Sequence, residues 1–278
     1  MKINKYPDGT SYVSLDVQGR EGNTIFKINS YEDLWHLGQF VEAYNFNLGK
    51  PLITIPNLID AQADKRFKEN QSSGLKLVCR FLNNMNANFI IFHPHNAEVV
   101  EALMDNVDII DNSEFINTVL FHHTGLDLDS FEDTILMSSD AGGFKPLMKL
   151  CDNIGWKGET YSASKARTED GMKQLIDRAD FEGKDILIVD DISVYGGTFK
   201  GLSKLLKERN CGKLYLAVSH MTVQNLGEDP VTNYFDKVFV TNSKFDEYYF
   251  ENKDSTWETN LSKYPKPTNL EIIKLFNI

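Results

Sequence analysis

Cysteine is scarce in this chain, and its placement excludes a covalent framework. Cys79, Cys151 and Cys211 are far apart, odd in number and set in apolar contexts. They read as buried free thiols of a cytoplasmic protein, without the spacing of metal ligands. Long hydrophobic runs are also absent: no stretch is apolar enough to span a bilayer, and Met1 to Thr10 hold no signal-peptide core. Positive charge is in deficit, with 29 lysines and arginines against 40 aspartates and glutamates, a net charge of −11. That excludes a general nucleic-acid binder, which needs a basic surface to displace counterions. An acidic chain still binds nucleotides where local cations and a divalent metal supply a positive field. Internal repeats and low-complexity tracts are missing too. What remains is ordinary for a globular protein, and 278 residues suffice for two compact α/β domains or one large one.

Apolar runs predict strands at 12–17, 24–28, 52–55, 89–92 and 108–110. Helical spacing lies between them, as in Leu75, Val78, Cys79 and Leu82. The polar stretch 122–133 reads as a connector. The second half repeats the alternation, with strands at 134–137, 159–162, 186–189, 214–218 and 237–240 and a helix over 144–153. Leu270, Ile273 and Phe276 predict a last amphipathic helix over 269–276. Such alternation implies parallel sheets with right-handed crossovers. The expected fold is α/β, two parallel-sheet domains over residues 1–125 and 126–278 meeting at a cleft. The last helix is expected to pack back on the first domain.

The most informative segment runs from Ile186 to Thr198. Ile186, Leu187, Ile188 and Val189 read as a buried parallel strand, and Asp190 and Asp191 stand where it ends. Val194 and Tyr195 follow. Gly196 and Gly197 then let the backbone approach a ligand, and Thr198 opens a helix with Leu202, Leu205 and Leu206 on one face. Strand, acidic pair, glycine loop and helix N-terminus together suit a sugar phosphate: free N–H groups take the phosphate and carboxylates take hydroxyls. A bare βα turn explains the glycines but not two adjacent acids at the ligand edge of an α/β sheet. Neither the P-loop ending nor the dinucleotide glycine spacing is present.

Other groups are ambiguous singly. Ser138-Ser139-Asp140-Ala141-Gly142-Gly143, between a strand and a helix, is a plain turn or a second phosphate loop with Asp140 on a metal or its water. His93-Pro94-His95 closes a strand and is either structural or, through one imidazole, placed beside an ATP-bound magnesium; zinc lacks further ligands at a suitable spacing. Lys165-Ala166-Arg167 lies in a polar stretch without apolar periodicity, a solvated loop or an arm bringing two cations over a phosphoryl group. Gln62, Ala63, Asp64, Lys65 and Arg66 admit both readings as well.

The Asp190–Thr198 segment resembles the motif shared by type I phosphoribosyltransferases and phosphoribosyl-pyrophosphate (PRPP) synthetases. Taken together, the pieces resemble a PRPP synthetase over nearly the whole chain. Tyr6-Pro7-Asp8-Gly9-Thr10 is similar to the family's Phe-Ser-Asp-Gly-Glu loop, which reaches the adenine of a neighbouring subunit's ATP. Ile55 through Arg66 resembles its second ATP loop, Asp140 through Gly143 its Pro-Asp-Ile-Gly-Gly segment, and His95 its metal and ATP histidine. Lys165 and Arg167 fall on its catalytic flexible-loop cations.

The resemblance implies transfer of the β,γ-diphosphate of ATP to a ribose 5-phosphate moiety. Asp190, Asp191, Val194, Tyr195, Gly196, Gly197 and Thr198 would bind the ribose phosphate. Tyr6, Asp8, Gln62, Asp64 and His95 would bind ATP, and His95 and Asp140 the magnesium ion Mg2+. Lys165, Arg167 and His95 would be catalytic. It also implies a homo-oligomer, a dimer or hexamer, with neither nucleic acid nor membrane as partner. The departures are specific. The chain opens at the Asp-Gly loop, so about one N-terminal βα unit of the family is missing. Gln62 and Ala63 stand for the family's Arg-Gln, and Val194 and Tyr195 for its usual Asp-Thr. The last change opens the acceptor to a ribose whose 5′-phosphate is extended, such as ADP-ribose. A phosphoribosyltransferase and a silent regulatory subunit are the competing readings.

Overall fold

The computed structural model describes residues 1–15, 23–66, 68–123, 131–168, 171–247, 250 and 265–277. The chain forms two compact units, Met1–Asp111 with Phe276–Ile278, and Asn112–Leu275.

The first unit opens with an antiparallel hairpin, β1 (Lys2–Lys5) and β2 (Ser11–Ser14). Its main sheet is parallel, β3 (Asn23–Ile25), β4 (Leu52–Ile55), β5 (Asn88–Phe92) and β6 (Val107–Ile110), in that spatial order. The helices α1 (Tyr31–Leu48), α2 (Gly74–Asn83) and α3 (Ala97–Leu103) join the strands. A capping box starts α1: Ser30 Oγ accepts from the Asp33 amide at 3.1 Å, and Asp33 Oδ2 accepts from the Ser30 amide at 2.9 Å. The expected stripe of Leu75, Val78, Cys79 and Leu82 is the buried face of α2. It packs with Ile53, Ile55, Phe89 and Ile91 into one core.

The second unit starts with α4 (Ser113–Thr118) and holds β7 (Thr134–Ser138), α5 (Phe144–Ile154) and β8 (Glu159–Ser162). An antiparallel hairpin follows, β9 (Ser164–Thr168) and β10 (Gly171–Leu175). Then come β11 (Asp185–Ser193), α6 (Gly197–Lys207), β12 (Leu214–Met221), β13 (Lys237–Thr241) and β14 (Leu270–Ile273). Six strands form a parallel sheet in the order β14-β13-β12-β11-β7-β8. Alternate residues of β11 serve opposite faces, as strand geometry requires. Ile186 and Ile188 pack with Phe199, Leu202 and Leu206 of α6. Leu187 and Val189 pack with Leu147, Leu150 and Cys151 of α5 and with Phe115 and Ile116 of α4. Because α4 is committed to this second core, the units divide at Asp111, ahead of the expected position near residue 125.

Two expectations are corrected. Residues 269–276 do not form a helix: β14 pairs parallel with β13 at the sheet edge. Leu270 and Ile272 enter one core face and Ile273 the other, a two-sided burial that favours branched residues in a strand. Phe276 then lies against Phe92 of the first unit, ring centroids 5.3 Å apart. The polar stretch around Lys165 is also ordered, as strand β9, because its backbone is satisfied by β10 without an apolar face. All three thiols are free; Cys79 and Cys151 are buried, which pushes both up to about 11, while Cys211 is half-buried. Among the described residues no helix is long and apolar enough to cross a membrane.

Candidate active site

In the second sheet the strand order reverses between β7 and β11, and the following helices, α5 and α6, leave to opposite faces. Ligands of open α/β sheets bind at such a point, beyond the carboxyl ends of the strands. Pairing of β11 with β7 stops at Val189 and Ser138, whereas pairing with β12 runs on to Ser193 and Met221. Asp190 and Asp191 therefore lie within β11, not past its end as expected, but where one neighbour has already turned away. Asp190 Oδ2 accepts from Ser139 Oγ, and Asp190 Oδ1 accepts from the Asp191 amide at 2.9 Å. Burial, then the charge of Asp191, pushes the Asp190 carboxyl up to about 7.

Beyond the acids the backbone turns into α6. Gly196, the N-cap, has φ of 71°, and a Cβ there would come 2.9 Å from Asn225 Oδ1 and 3.0 Å from Val231 Cβ. Gly197 is the first helical residue and Thr198 the second. Among the described residues, the amides of Tyr195, Gly196, Gly197 and Thr198 donate to no protein group. Unengaged N–H groups at a helix start are what a phosphate takes. Val194 is half-buried, and the Tyr195 side chain is 71% exposed.

The neighbouring loop presents Asp140. Its Oδ1 accepts from the amides of Gly142 and Gly143 at 3.0 and 3.2 Å, and its Oδ2 lies 2.7 Å from Lys165 Nζ. Partial burial pushes this carboxyl up, but the Lys165 ammonium and the two amides outweigh burial and hold it below the usual carboxylate range. Lys165 faces Gln174 across the hairpin and Arg167 faces Met172. The Arg167 side chain lies outside the described residues.

The remaining candidates belong to the first unit. Gly9, at φ of 88°, turns the β1–β2 hairpin, and Asp8 Oδ1 accepts from Thr10 Oγ1 at 2.7 Å and from the Thr10 amide at 3.0 Å. The Thr10 hydroxyl, then its amide, holds the Asp8 carboxyl below the usual range. Tyr6 is exposed on the same hairpin, its ring 4.7 Å from that of Tyr12. Elsewhere, Asp64 Oδ2 accepts from Asn96 Nδ2 at 3.2 Å, and Asn96 also caps α3 through the Val99 amide. The exposed His95 directly precedes Asn96, so this link brings Asp64 to the histidine loop. Gln62 is exposed two residues before Asp64. Two residues escaped the sequence reading: Ser139, as the donor to Asp190, and Asn225. A serine inside a Ser-Ser-Asp turn and an asparagine after a strand both look like ordinary turn residues.

Residues 104–252, more than half of the chain, match the model of the phosphoribosyl transferase domain, and the chain belongs to that family. The relatives it matches include enzymes named ribose-phosphate pyrophosphokinase. The chain is 22% identical over 248 residues to the ribose-phosphate pyrophosphokinase of Thermococcus kodakarensis, covering 87% of this chain and 85% of the relative. It is 25% identical over 251 residues to the protein of the same name from Vibrio vulnificus, covering 87% and 77%. The crystal structure of phosphoribosylpyrophosphate synthetase from Mycobacterium smegmatis shares the fold, with a TM-score of 0.74, 19% identity and coverage of 98% of this chain and 85% of that one. The protein is a divergent member of the PRPP synthetase group.

Proposed function

We propose that this diphosphokinase-type transferase moves the β,γ-diphosphoryl group of ATP onto the anomeric hydroxyl of a ribose 5-phosphate moiety and releases AMP. The observation that carries the reading is the pairing, across β7 and β11, of an acidic diol site with a cation site. Asp190 and Asp191 adjoin unengaged amides at the start of α6, and Ser139 ties Asp190 to the loop that carries Asp140, whose carboxylate is paired with Lys165 of β9.

The anomeric oxygen attacks the β-phosphorus, the bond from that phosphorus to the α,β-bridging oxygen breaks with that oxygen leaving on AMP, and the hydroxyl proton passes to water. Little covalent work falls to the protein, so catalysis is positioning and neutralisation of charge. Asp190 and Asp191 accept from the ribose 2′ and 3′ hydroxyls. The Gly196–Thr198 turn donates to the 5′-phosphate. Lys165 is assigned to the transferring group, and Arg167 joins it by resemblance alone. On the nucleotide side Tyr6, Asp8, Gln62, Asp64 and His95 are assigned to ATP by resemblance.

Magnesium fits the donor set. Such an ion needs one or two protein oxygens, with waters and phosphates filling the rest, and no protein-only cage of three or more ligands exists among the described residues. Asp140, held below the usual carboxylate range, would hold it, and His95 is assigned to it by resemblance alone; when bound it would neutralise the triphosphate. The acceptor is ribose 5-phosphate or a 5′-extended ribose such as ADP-ribose; the exposed Tyr195, where the family has a threonine, supports the extended form. A homo-oligomer is proposed by resemblance alone.

Incubation with MgATP and each acceptor, with products resolved by mass, tests the reading. AMP together with a 1-diphosphorylated acceptor is expected. Absence of AMP with every acceptor overturns it, and PRPP consumption without ATP would point to a phosphoribosyltransferase.

A further inference from the structure

Asn225 lies far from the acids in sequence, in the short turn after β12, and is 1% exposed. Its amide is spent on the end of β11, the loop that follows it and its own turn. Nδ2 donates to the carbonyls of Ser193 and Val194, each at 2.8 Å, and to that of Thr222 at 3.0 Å. Oδ1 accepts from Ser193 Oγ at 2.6 Å. Thr222 reinforces the hold: its amide donates to the Ser193 carbonyl at 2.9 Å and its hydroxyl to the Val194 carbonyl at 2.6 Å. Gly196, left-handed and without a Cβ, is the residue that lets the loop pass this close to Asn225.

Two consecutive carbonyls of the loop are thus bound on the Asn225 side, while the amides that follow, Tyr195 to Thr198, remain unengaged. A peptide group carries its C=O and N–H on opposite sides. Fixing the Val194 carbonyl therefore sets the direction of the Tyr195 N–H, the first of the four donors. A loop left to itself would turn some carbonyls toward an incoming anion, and those would repel it.

We propose that Asn225 is a positioning residue for the acceptor. It holds the Ser193–Gly196 loop in the one arrangement that offers amides, and not carbonyls, to the 5′-phosphate. The inference rests on the acceptor site proposed above and adds to it a residue that touches no substrate.

The decisive variant is Asn225→Asp. It keeps the shape but replaces the donor nitrogen with an oxygen facing three carbonyls, so the loop must let go. Acceptor affinity is measured by calorimetry with ribose 5-phosphate and with ADP-ribose in separate titrations, and KM for each substrate from AMP release. The acceptor Kd and KM rise on the order of tenfold, while KM for ATP stays unchanged. The variant-to-wild-type ratio of acceptor Kd shrinks as pH falls, because a protonated carboxyl regains one donor; general damage to the fold would not recover in this way. Thr222→Val, which removes one hydroxyl donor to Val194, gives a smaller rise of the same kind and serves if Asn225→Asp does not fold.

An unchanged acceptor Kd in the folded variant overturns the inference, as does an equal rise in both KM values. Wild-type protein that binds an acceptor but forms no AMP removes the proposed reaction, while the effect of the variant on Kd still decides the role of Asn225. Wild-type protein that binds neither acceptor sinks both.

Discussion

Lys165 Nζ stands 2.7 Å from Asp140 Oδ2, bridging the β9–β10 hairpin and the turn after β7. Both side chains are about a third exposed (29% and 33%), and pairs in that setting contribute roughly 0–1 kcal/mol. The lysine is therefore held in place by a contact that costs little to exchange for phosphate oxygens. Lys165→Met is expected to lower kcat on the order of 10²–10³-fold, by analogy with a lost oxyanion donor. Its melting temperature should hardly move. Rates of AMP release and a thermal melt on the same preparation check both halves.

Asp190 predicts a pH dependence of stability with a definite sign. Its carboxyl is raised from 3.8 to about 7, so between those values the native state binds more protons than the unfolded chain. Stability from this group is full below the unfolded value and is lost as pH rises through about 7. Asp190→Asn, which keeps one oxygen to accept from the Asp191 amide and turns its NH2 to donate to Ser139 Oγ, removes that loss. Its gain in melting temperature over wild type should grow from about pH 4 to about pH 8, read by thermal unfolding at stepped pH. A constant difference across the range would contradict the burial of this charge.

Gly196→Ala meets two obstacles at once, a φ of 71° and a Cβ 2.9 Å from Asn225 Oδ1. Left-handed backbone alone costs an alanine roughly 1–2 kcal/mol. The substitution should destabilise the protein by about 1–3 kcal/mol and weaken acceptor binding more than ATP binding. Denaturant unfolding and the two KM values measure these separately.

Tyr195 tests the identity of the acceptor. If its exposed ring stacks on a 5′-extension, Tyr195→Ala loses a base–aromatic contact of about 1–3 kcal/mol. Turnover of ADP-ribose, as kcat/KM, should then fall by roughly 5- to 150-fold with ribose 5-phosphate unaffected. Equal effects on both acceptors would assign Tyr195 no role in selection.

Much of the second unit was legible because its strands are short apolar runs closed by turn residues. The segment from Ile186 to Thr198 shows why: burial on both faces demands consecutive apolar residues, and the helix start demands glycine at a left-handed position. Residues 269–276 misled because Leu270, Ile273 and Phe276 fit a helical stripe. The adjacent branched pair, Ile272 and Ile273, was the signal for a strand buried on both sides. The β9–β10 hairpin had no such signal, since its two strands satisfy each other's backbone without a hydrophobic face. The turn into α6 could be read from its glycines, but not Asn225, most of whose partners are backbone carbonyls. Carbonyls leave no trace in residue type.

The parting of α5 and α6 at β7 and β11 has a consequence for how this protein can change. Each helix is anchored in its own hydrophobic layer, so the few residues bridging strand and helix carry almost none of the packing. Replacements such as Tyr195 can therefore accumulate there without eroding either layer. Residues along this rim can change while the scaffold beneath stays the same.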